Sequence, residues 1–176
     1  MAASIDATVG GASANSFGTV AEADTYHEGQ LHASAPWADL TATQKIQTLI
    51  MAQQLMTALL EWTGDVVTST QKLPWPRMAM RNRNDSAWIS ESVVPDEVKN
   101  CQFELARLLG TVDRTLENDV EANGLTYLRA ASVTLKFKES FSAPGMIPAV
   151  AYNLLPEHWY TRIIGVKSNT IDLLRA

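Results

Sequence analysis

The sequence predicts a mainly α-helical protein, a bundle of three to four helices with a small β element and extended N- and C-terminal arms. Three observations predict it: two helix-capping patterns, two long stretches with apolar residues at three-to-four spacing, and one alternating segment. The chain has 176 residues, of which 46% are hydrophobic, enough for one core. We therefore expect one helical domain over residues 1–160, including an N-terminal arm, followed by an interaction tail over residues 161–176.

The first helix is predicted to follow the N-terminal arm. The segment VGGASANSF contains small residues that favour an extended or turning arm rather than a packed element. Thr19 followed by Glu22 is a capping box, in which a hydroxyl and a carboxylate each accept a backbone N–H at a helix start. The helix is expected over residues 20–32, with a break over residues 34–37 around Pro36.

The second helix is the strongest in the sequence. Thr41 with Gln44 repeats the capping box, and Gly64 is the type of residue that ends a helix in the left-handed conformation. About 20 residues should lie between these signals. The apolar positions with helical spacing are Ile46, Leu49, Ile50, Leu55, Met56, Leu59, Leu60 and Trp62.

A third helix is predicted to begin with Pro95 at its first position. Asp96 and Glu97 then lie beside the positive end of the helix dipole. The predicted buried face consists of Val98, Cys101, Leu105, Leu108, Leu109, Val112 and Leu116.

The last predicted elements follow the turn at Asn123 and Gly124. Alternating apolar and polar residues predict one amphipathic strand over residues 131–139. Residues 147–155 could form a short helix with Pro148 in its first turn. The final segment, IIGVKSNTIDLLRA, is unusually apolar for a free terminus, which suggests that another surface covers it.

The segment LPWPR is predicted to be a structural brace formed by Leu73, Trp75, Pro76 and Arg77. Proline fixes its own φ and restricts the preceding residue, so Pro74 and Pro76 should present Trp75 on a stiff, extended segment. We expect Leu73 and Trp75 to pack across the second and third helices and fasten the long connection between them. Truncation of a tryptophan buried in this way costs on the order of 3 kcal/mol.

A basic loop follows the brace; it could be an ordinary exposed loop, and two functional interpretations are also open. Between Lys72 and Arg83 there are four positive charges and no negative one. Such a segment can contact a protein partner through arginine, or single-stranded nucleic acid through phosphate contacts and base stacking. The residues predicted for nucleic acid are Lys72, Trp75, Arg77, Arg81, Arg83 and Trp88. The residues predicted for a protein interface are Arg81, Arg83, Trp88, Trp159, Arg162, Ile163, Ile164, Val166, Ile171, Leu173 and Leu174.

Composition argues against several other functions. The net charge of −5 disfavours non-specific attraction of the whole surface to a polyanion. The single Cys101 excludes an internal disulfide, and His27 and His32 lie five residues apart rather than at zinc-binding spacing, so we expect both histidines on the surface. No nucleophile, acid–base pair or phosphate-binding loop has the required pattern, so we predict no catalytic residue, cofactor or metal. No segment has the length of a membrane span or the pattern of a secretory signal, which leads us to expect synthesis in the cytoplasm.

The order of these features resembles tailed-bacteriophage head-to-tail connector proteins. The resemblance rests on ATVGGASANSFGTVAEADTY, LPWPR, VPDEVKNCQFELARLL and ASVTLKFKES, and covers residues 7–155. Some relatives of this sequence type are labelled DnaT-like single-stranded-DNA-binding protein. The resemblance implies a virion adaptor that forms a ring, often of twelve copies, between the portal protein and a downstream tail or nozzle protein. It implies double-stranded DNA passing through the ring, no membrane and no catalytic residues.

Overall fold

The structure is a computed structural model that describes residues 3–113, 127–130, 133–136 and 146–163. It is mainly α-helical with a small β element, as the sequence predicted. In chain order the described elements are α1 (Val20–Glu28), α2 (Ser34–Ala38), α3 (Ala42–Leu59), β1 (Leu60–Trp62), β2 (Asp65–Val66), β3 (Arg77–Met78), α4 (Asp96–Thr111), β4 (Tyr127–Ala130), β5 (Val133–Lys136), α5 (Ala149–Tyr152), a 3-10 helix (Glu157–Trp159) and β6 (Tyr160–Ile163).

Both predicted capping boxes are confirmed at the starts of α1 and α3. The Glu22 amide donates to the Thr19 hydroxyl at 3.2 Å, and the Thr19 amide donates to the Glu22 carboxylate at 2.7 Å. Thr41 and Gln44 make the equivalent pair of bonds before α3. These bonds satisfy backbone groups that a helix terminus leaves unpaired, which explains why the starts were predictable.

The region after α1 differs from the prediction. Helix α1 ends at Glu28 rather than His32, and the expected break over residues 34–37 is the short helix α2. Pro36 is tolerated because it lies in the first turn of α2, where its missing N–H removes no bond within the helix. The burial of Trp37, which is 2% exposed, fixes α2 against the core.

Helix α3 ends earlier than predicted. Leu60 has extended backbone angles (φ −104°, ψ 122°) and begins β1, which pairs antiparallel with β6. Gly64 has φ +70° but lies in the turn between β1 and β2 rather than at a helix end. The prediction failed because pairing with a strand about a hundred residues later overrides the local helical pattern.

Helices α3 and α4 form the centre of the fold and run antiparallel. A Cβ atom added to Gly110, near the end of α4, would lie 2.7 Å from Leu40, which precedes α3. At the middle of both helices the Gln102 side chain donates to the Leu49 carbonyl at 2.9 Å. Pro95, predicted to be the first residue of this helix, is instead its N-cap, and α4 begins one residue later at Asp96.

The face that α4 buries agrees in part with the prediction. The predicted positions that are buried are Val98, Cys101, Leu105 and Leu109. Leu108 is half-buried, Val112 is 57% exposed, and Leu116 lies outside the described residues. The buried face is wider than its aliphatic pattern because it also includes Gln102, Phe103, Glu104 and Ala106.

The β element consists of three antiparallel strand pairs among the described residues: β1 with β6, β2 with β3, and β4 with β5. Of the one strand predicted over residues 131–139, the described part is β5, which pairs with β4 so that Tyr127 opposes Lys136 and Ala130 opposes Val133; residues 131–132 and 137–139 lie outside the described residues. The alternation of ASVTLKFKES identified only the second strand, because the first strand, YLRA, is too short to show a clear period.

In its described residues, 3–19, the N-terminal arm has no helix or strand, as predicted, but its last part is packed rather than free. Ser16 and Phe17 are 1% and 2% exposed. The Phe17 amide donates to the Gln102 side chain at 3.0 Å, and that side chain donates to the Ser16 hydroxyl at 2.8 Å. Gln102 thus fixes the arm on α4. The sequence did not predict this contact, because Gln102 is a polar residue among the apolar positions of the predicted helix.

The C-terminal part begins with α5, where Pro148 is the N-cap, one residue before the helix. Residues 161–163, which open the predicted tail, belong to β6 and are paired with β1, so the strand crosses the predicted domain boundary at residue 160. The remainder of the tail, residues 164–176, lies outside the described residues.

Candidate functional site

The LPWPR segment is built into an aromatic cluster of Trp62, Trp75 and Trp159. Trp75 is 1% exposed, its ring centroid lies 5.7 Å from Trp62 and 5.1 Å from Trp159, and its peptide bond to Pro76 is cis. Leu73 is also buried, at 6%. The aromatic contacts of Trp75 are thus with β1 and the 3-10 helix, and both Leu73 and Trp75 belong to the buried core to which α3 and α4, the predicted second and third helices, contribute.

Arg77 completes the brace with bonds to backbone carbonyls. Its guanidinium donates to the Thr63 carbonyl at 2.5 Å, to the Pro74 carbonyl at 3.0 Å, and to the Gly64 carbonyl. The residue is 8% exposed, and this burial lowers the pKa of its guanidinium. Arg77 therefore ties the brace to the turn after β1 and is not available to a phosphate group.

Residues 79–90 form a structured loop, hereafter the Trp88 loop, that exposes one tryptophan. Arg81 and Trp88 pair across it as a β-bridge, and the Ile89 amide donates to the Met80 carbonyl at 2.9 Å. The Arg81 guanidinium lies 4.5 Å from the Trp88 ring centroid, in a cation–π contact, and 3.5 Å from the Asp85 carboxylate. Trp88 is 65% exposed, so the loop presents a tryptophan whose ring is held by an arginine.

The other predicted basic residues have acidic or carbonyl partners. The Arg83 guanidinium lies 3.7 Å from the Glu97 carboxylate and donates to the Leu154 carbonyl, which connects the Trp88 loop to α4 and to the end of α5. Lys72 lies next to the brace, where its backbone amide donates to the Gly11 carbonyl at 3.2 Å. The two arginines of the Trp88 loop, Arg81 and Arg83, thus each lie beside a carboxylate of the same chain.

Two predictions for site residues need correction. Trp159, predicted at an interface, is 0% exposed, and its indole nitrogen donates to the Arg81 carbonyl at 2.6 Å. Trp75 and Arg77, predicted among the nucleic-acid residues, are buried in the brace. The reason is the same in each case: one sequence does not distinguish an exposed tryptophan or arginine from one that the fold encloses.

The predicted interface residues near the C-terminus are described only in part. Arg162 and Ile163 lie in β6, opposite Glu61 and Leu60 of β1. The others, which lie outside the described residues, are Ile164, Val166, Ile171, Leu173 and Leu174.

A second surface feature was missed by the sequence analysis. An apolar groove, hereafter the Leu31 groove, lies between the α1–α2 connection, α4 and α5. Its main lining residues are Tyr26, Leu31, Glu104, Arg107, Val150 and Leu154. Leu31 is 86% exposed and Val150 is 54% exposed. An isolated leucine among polar residues, as in EGQLHAS, was the available signal, but it is too common to have predicted a groove.

His27 lies under this part of the fold and is wholly buried, although the sequence analysis placed it on the surface. Its ring stacks near Trp37, at 4.7 Å between centroids. The Phe103 carbonyl only accepts, so the imidazole Nε2, at 3.2 Å from it, carries the proton of the neutral ring. Burial lowers the pKa of His27 to about 4, although this carbonyl and nearby Glu104 act in the opposite direction. His32 is exposed, as predicted.

The described residues show no group of three or more His, Cys, Asp or Glu side chains that could hold a metal ion. No helix in the described part of the chain is long and apolar enough to cross a membrane. Cys101 is fully buried, which raises the pKa of its thiol far above the usual range.

Comparison with known proteins gives one family. No curated protein and no solved structure matches the chain significantly. Residues 1–162 match the family described as "Putative DnaT-like ssDNA binding protein". This match includes the N-terminal arm, the brace, the Trp88 loop, α4 and the strand β6 up to Arg162. The chain therefore belongs to this DnaT-like family.

Proposed function

We propose that the protein is a structural component of a tailed-phage virion, an adaptor that forms a ring between the portal and the next tail protein. It acts by assembly, without catalytic turnover, and it is located at the head-to-tail junction. The observation that carries the proposal is the Leu31 groove: an apolar surface of this kind is typical of sites that another protein covers.

The C-terminal sequence supports the same interpretation. Strand β6 is fixed to β1 up to Ile163, and the sequence that follows, IGVKSNTIDLLRA, is again apolar. Each copy thus offers an apolar groove and an apolar segment, two different patches of the kind that a closed ring requires. The segments ATVGGASANSFGTVAEADTY, LPWPR and VPDEVKNCQFELARLL, which carry the resemblance to connector proteins, contain the arm, the brace and α4.

The charge of the chain also suits a DNA conduit. A net charge of −5 weakly repels duplex DNA, so a genome could slide through a ring of such subunits without being retained. This balance of charge suits a conduit better than a protein that coats DNA, which must present lysine and arginine to many phosphates.

The proposal is tested by measuring mass and imaging negatively stained particles of the purified protein with and without the portal protein of the same phage. We expect a small species alone and a ring on the portal. Truncation after Ile163 keeps β6 intact and should abolish the ring while leaving the circular dichroism spectrum unchanged. Absence of any complex with the portal, at concentrations where both proteins stay soluble, would refute the adaptor function.

A second candidate function is binding of single-stranded DNA at the Trp88 loop. The family description favours it, and one geometric feature supports it: Trp88 is 65% exposed with Arg81 at 4.5 Å from its ring. A base can stack on such a ring while a neighbouring arginine contacts phosphate. Since Trp75 and Arg77 are buried, the site would be limited to Lys72, Arg81, Arg83 and Trp88.

This second function predicts binding of a fluorescent oligothymidylate that weakens steeply as salt is raised, because phosphate contacts release counterions. Trp88→Ala should weaken binding by about tenfold, the equivalent of one stacked base. An abasic oligomer of the same length should bind wild type and Trp88→Ala equally. No binding at micromolar protein and low salt would exclude this function and would leave the adaptor proposal intact.

A further inference from the structure

The Leu31 groove has apolar walls, and two charged side chains that line it already form an ion pair with each other. Leu31, on the α1–α2 connection, and Val150, on α5, are 86% and 54% exposed. Between them the Arg107 guanidinium contacts the Glu104 carboxylate, and the side chains of these residues are only 17% and 8% exposed. A ligand in this groove would gain mainly by covering the aliphatic walls, so its natural occupant is itself apolar.

The C-terminal segment of the chain has the composition to fill such a groove. Residues 164–176 follow directly on β6, whose last residue, Ile163, is paired with Leu60. Apolar side chains occur in this segment at Ile164 and Val166 and again at Ile171, Leu173 and Leu174. An extended segment of this length spans up to about 40 Å, since each residue adds about 3.3 Å. It can therefore reach well beyond the surface around β6.

We propose that residues 164–176 of one copy dock in the Leu31 groove of the neighbouring copy. This inference rests on the proposed ring function, because a closed ring needs a contact between two different patches on adjacent subunits. The tail and the groove are such a pair, and they share no residue. The docked tail covers Leu31 and Val150 and links each subunit to the next around the ring.

Disulfide cross-linking tests the docking directly. The native Cys101 is buried, so introduced cysteines will be the reactive ones. Leu31→Cys and Leu174→Cys are made in separate chains, mixed and oxidised, both alone at high concentration and on the portal. We expect a cross-linked dimer containing one chain of each type. Val66→Cys, at an exposed valine of the β2–β3 hairpin, replaces Leu31→Cys in the matched control and should give at least tenfold less product.

The doubly substituted chain, Leu31→Cys with Leu174→Cys, distinguishes docking of the tail in a neighbouring copy from docking in the groove of its own chain. Docking between copies predicts a ladder of linked chains. A monomer with an internal cross-link, together with no dimer from the mixed chains, would overturn the proposal because the tail would then cover its own groove.

Substitution of the groove gives an independent readout. Leu31→Asp should reduce ring formation on the portal at least tenfold, to the level of the chain truncated after Ile163, whereas Val66→Asp should not. Both substitutions are at exposed positions, so the circular dichroism spectrum and melting temperature should match wild type. Rings that form normally with Leu31→Asp would overturn the docking and leave the adaptor function standing. Cross-linking between copies without any complex with the portal would support the docking and refute the adaptor function.

Discussion

Trp75→Ala should strongly destabilise the protein. Trp75 is 1% exposed and lies 5.7 Å and 5.1 Å from the ring centroids of Trp62 and Trp159. Replacement of a buried tryptophan by alanine costs about 3–5 kcal/mol, and each aromatic pair contributes about 0.5–1.5 kcal/mol beyond buried area. Two pairs are lost here, so we expect a loss of about 4 kcal/mol in the free energy of unfolding. For a chain of this size the melting temperature should fall by about 10 °C.

The assay is urea denaturation followed by far-ultraviolet circular dichroism, which does not depend on the tryptophan that is removed. Trp88→Ala is the matched control: Trp88 is 65% exposed and its ring contacts Arg81 in a cation–π pair, so the change should stay within about 1 kcal/mol. Trp75→Phe, which keeps part of the aromatic contact, should fall between the two. A loss of less than about 1 kcal/mol for Trp75→Ala would refute the view that the LPWPR segment braces the fold.

Three further predictions follow from the buried polar groups. The pKa of His27 is about 4 in the folded state and about 6.5 in the unfolded chain, so the unfolded chain binds the proton first as the pH falls. The free energy of unfolding should therefore drop by up to about 3 kcal/mol between pH 6.5 and pH 4. Urea midpoints measured at about pH 7.5 and about pH 4.5 should show a smaller drop for His27→Gln than for wild type. Arg77→Lys should destabilise by about 2 kcal/mol in urea, because an ammonium group does not reproduce the bonds of the guanidinium to three carbonyls; no change relative to wild type would contradict this role. Gln102→Leu should speed amide hydrogen exchange at Phe17 at least tenfold, because the amide loses its buried acceptor, whereas exchange at the far end of α4 should not change.

The parts of the fold that were predictable are those specified by neighbouring residues. Thr19 and Thr41 start helices through bonds to residues three positions later, and Pro148 precedes α5, so a short window of sequence contains all the interacting groups. The end of α3 was not predictable in this way. Leu60 continues the helical pattern, but its backbone pairs with Ile163, and no local signal reports a partner so distant in the chain.

For the candidate site, too, the sequence predicted which segments matter but not which side chains are buried. The sequence identified the LPWPR segment and named Arg81 and Trp88 as candidate site residues, but it assigned Trp159 to an interface and His27 to the surface. Both are enclosed by residues from other elements: Trp159 bonds to the Arg81 carbonyl, and His27 lies between Trp37 and the Phe103 carbonyl. Exposure is set by tertiary packing, which amphipathic residue types do not reveal.

The Trp159 indole donates a 2.6 Å hydrogen bond to the Arg81 carbonyl, and this bond connects the two parts of the chain on which the candidate functions depend. Trp159 immediately precedes β6, from which the C-terminal segment continues, so the base of that segment and the Trp88 loop are held by the same aromatic cluster. The Leu31 groove is built by other elements, α1, α4 and α5, and shares no lining residue with the Trp88 loop. Because α4 packs against both α3 and α5, and β6 pairs with β1, the Leu31 groove and strand β6 are held at fixed positions within one packed domain. Such fixed positions are what a ring of identical subunits needs in order to close.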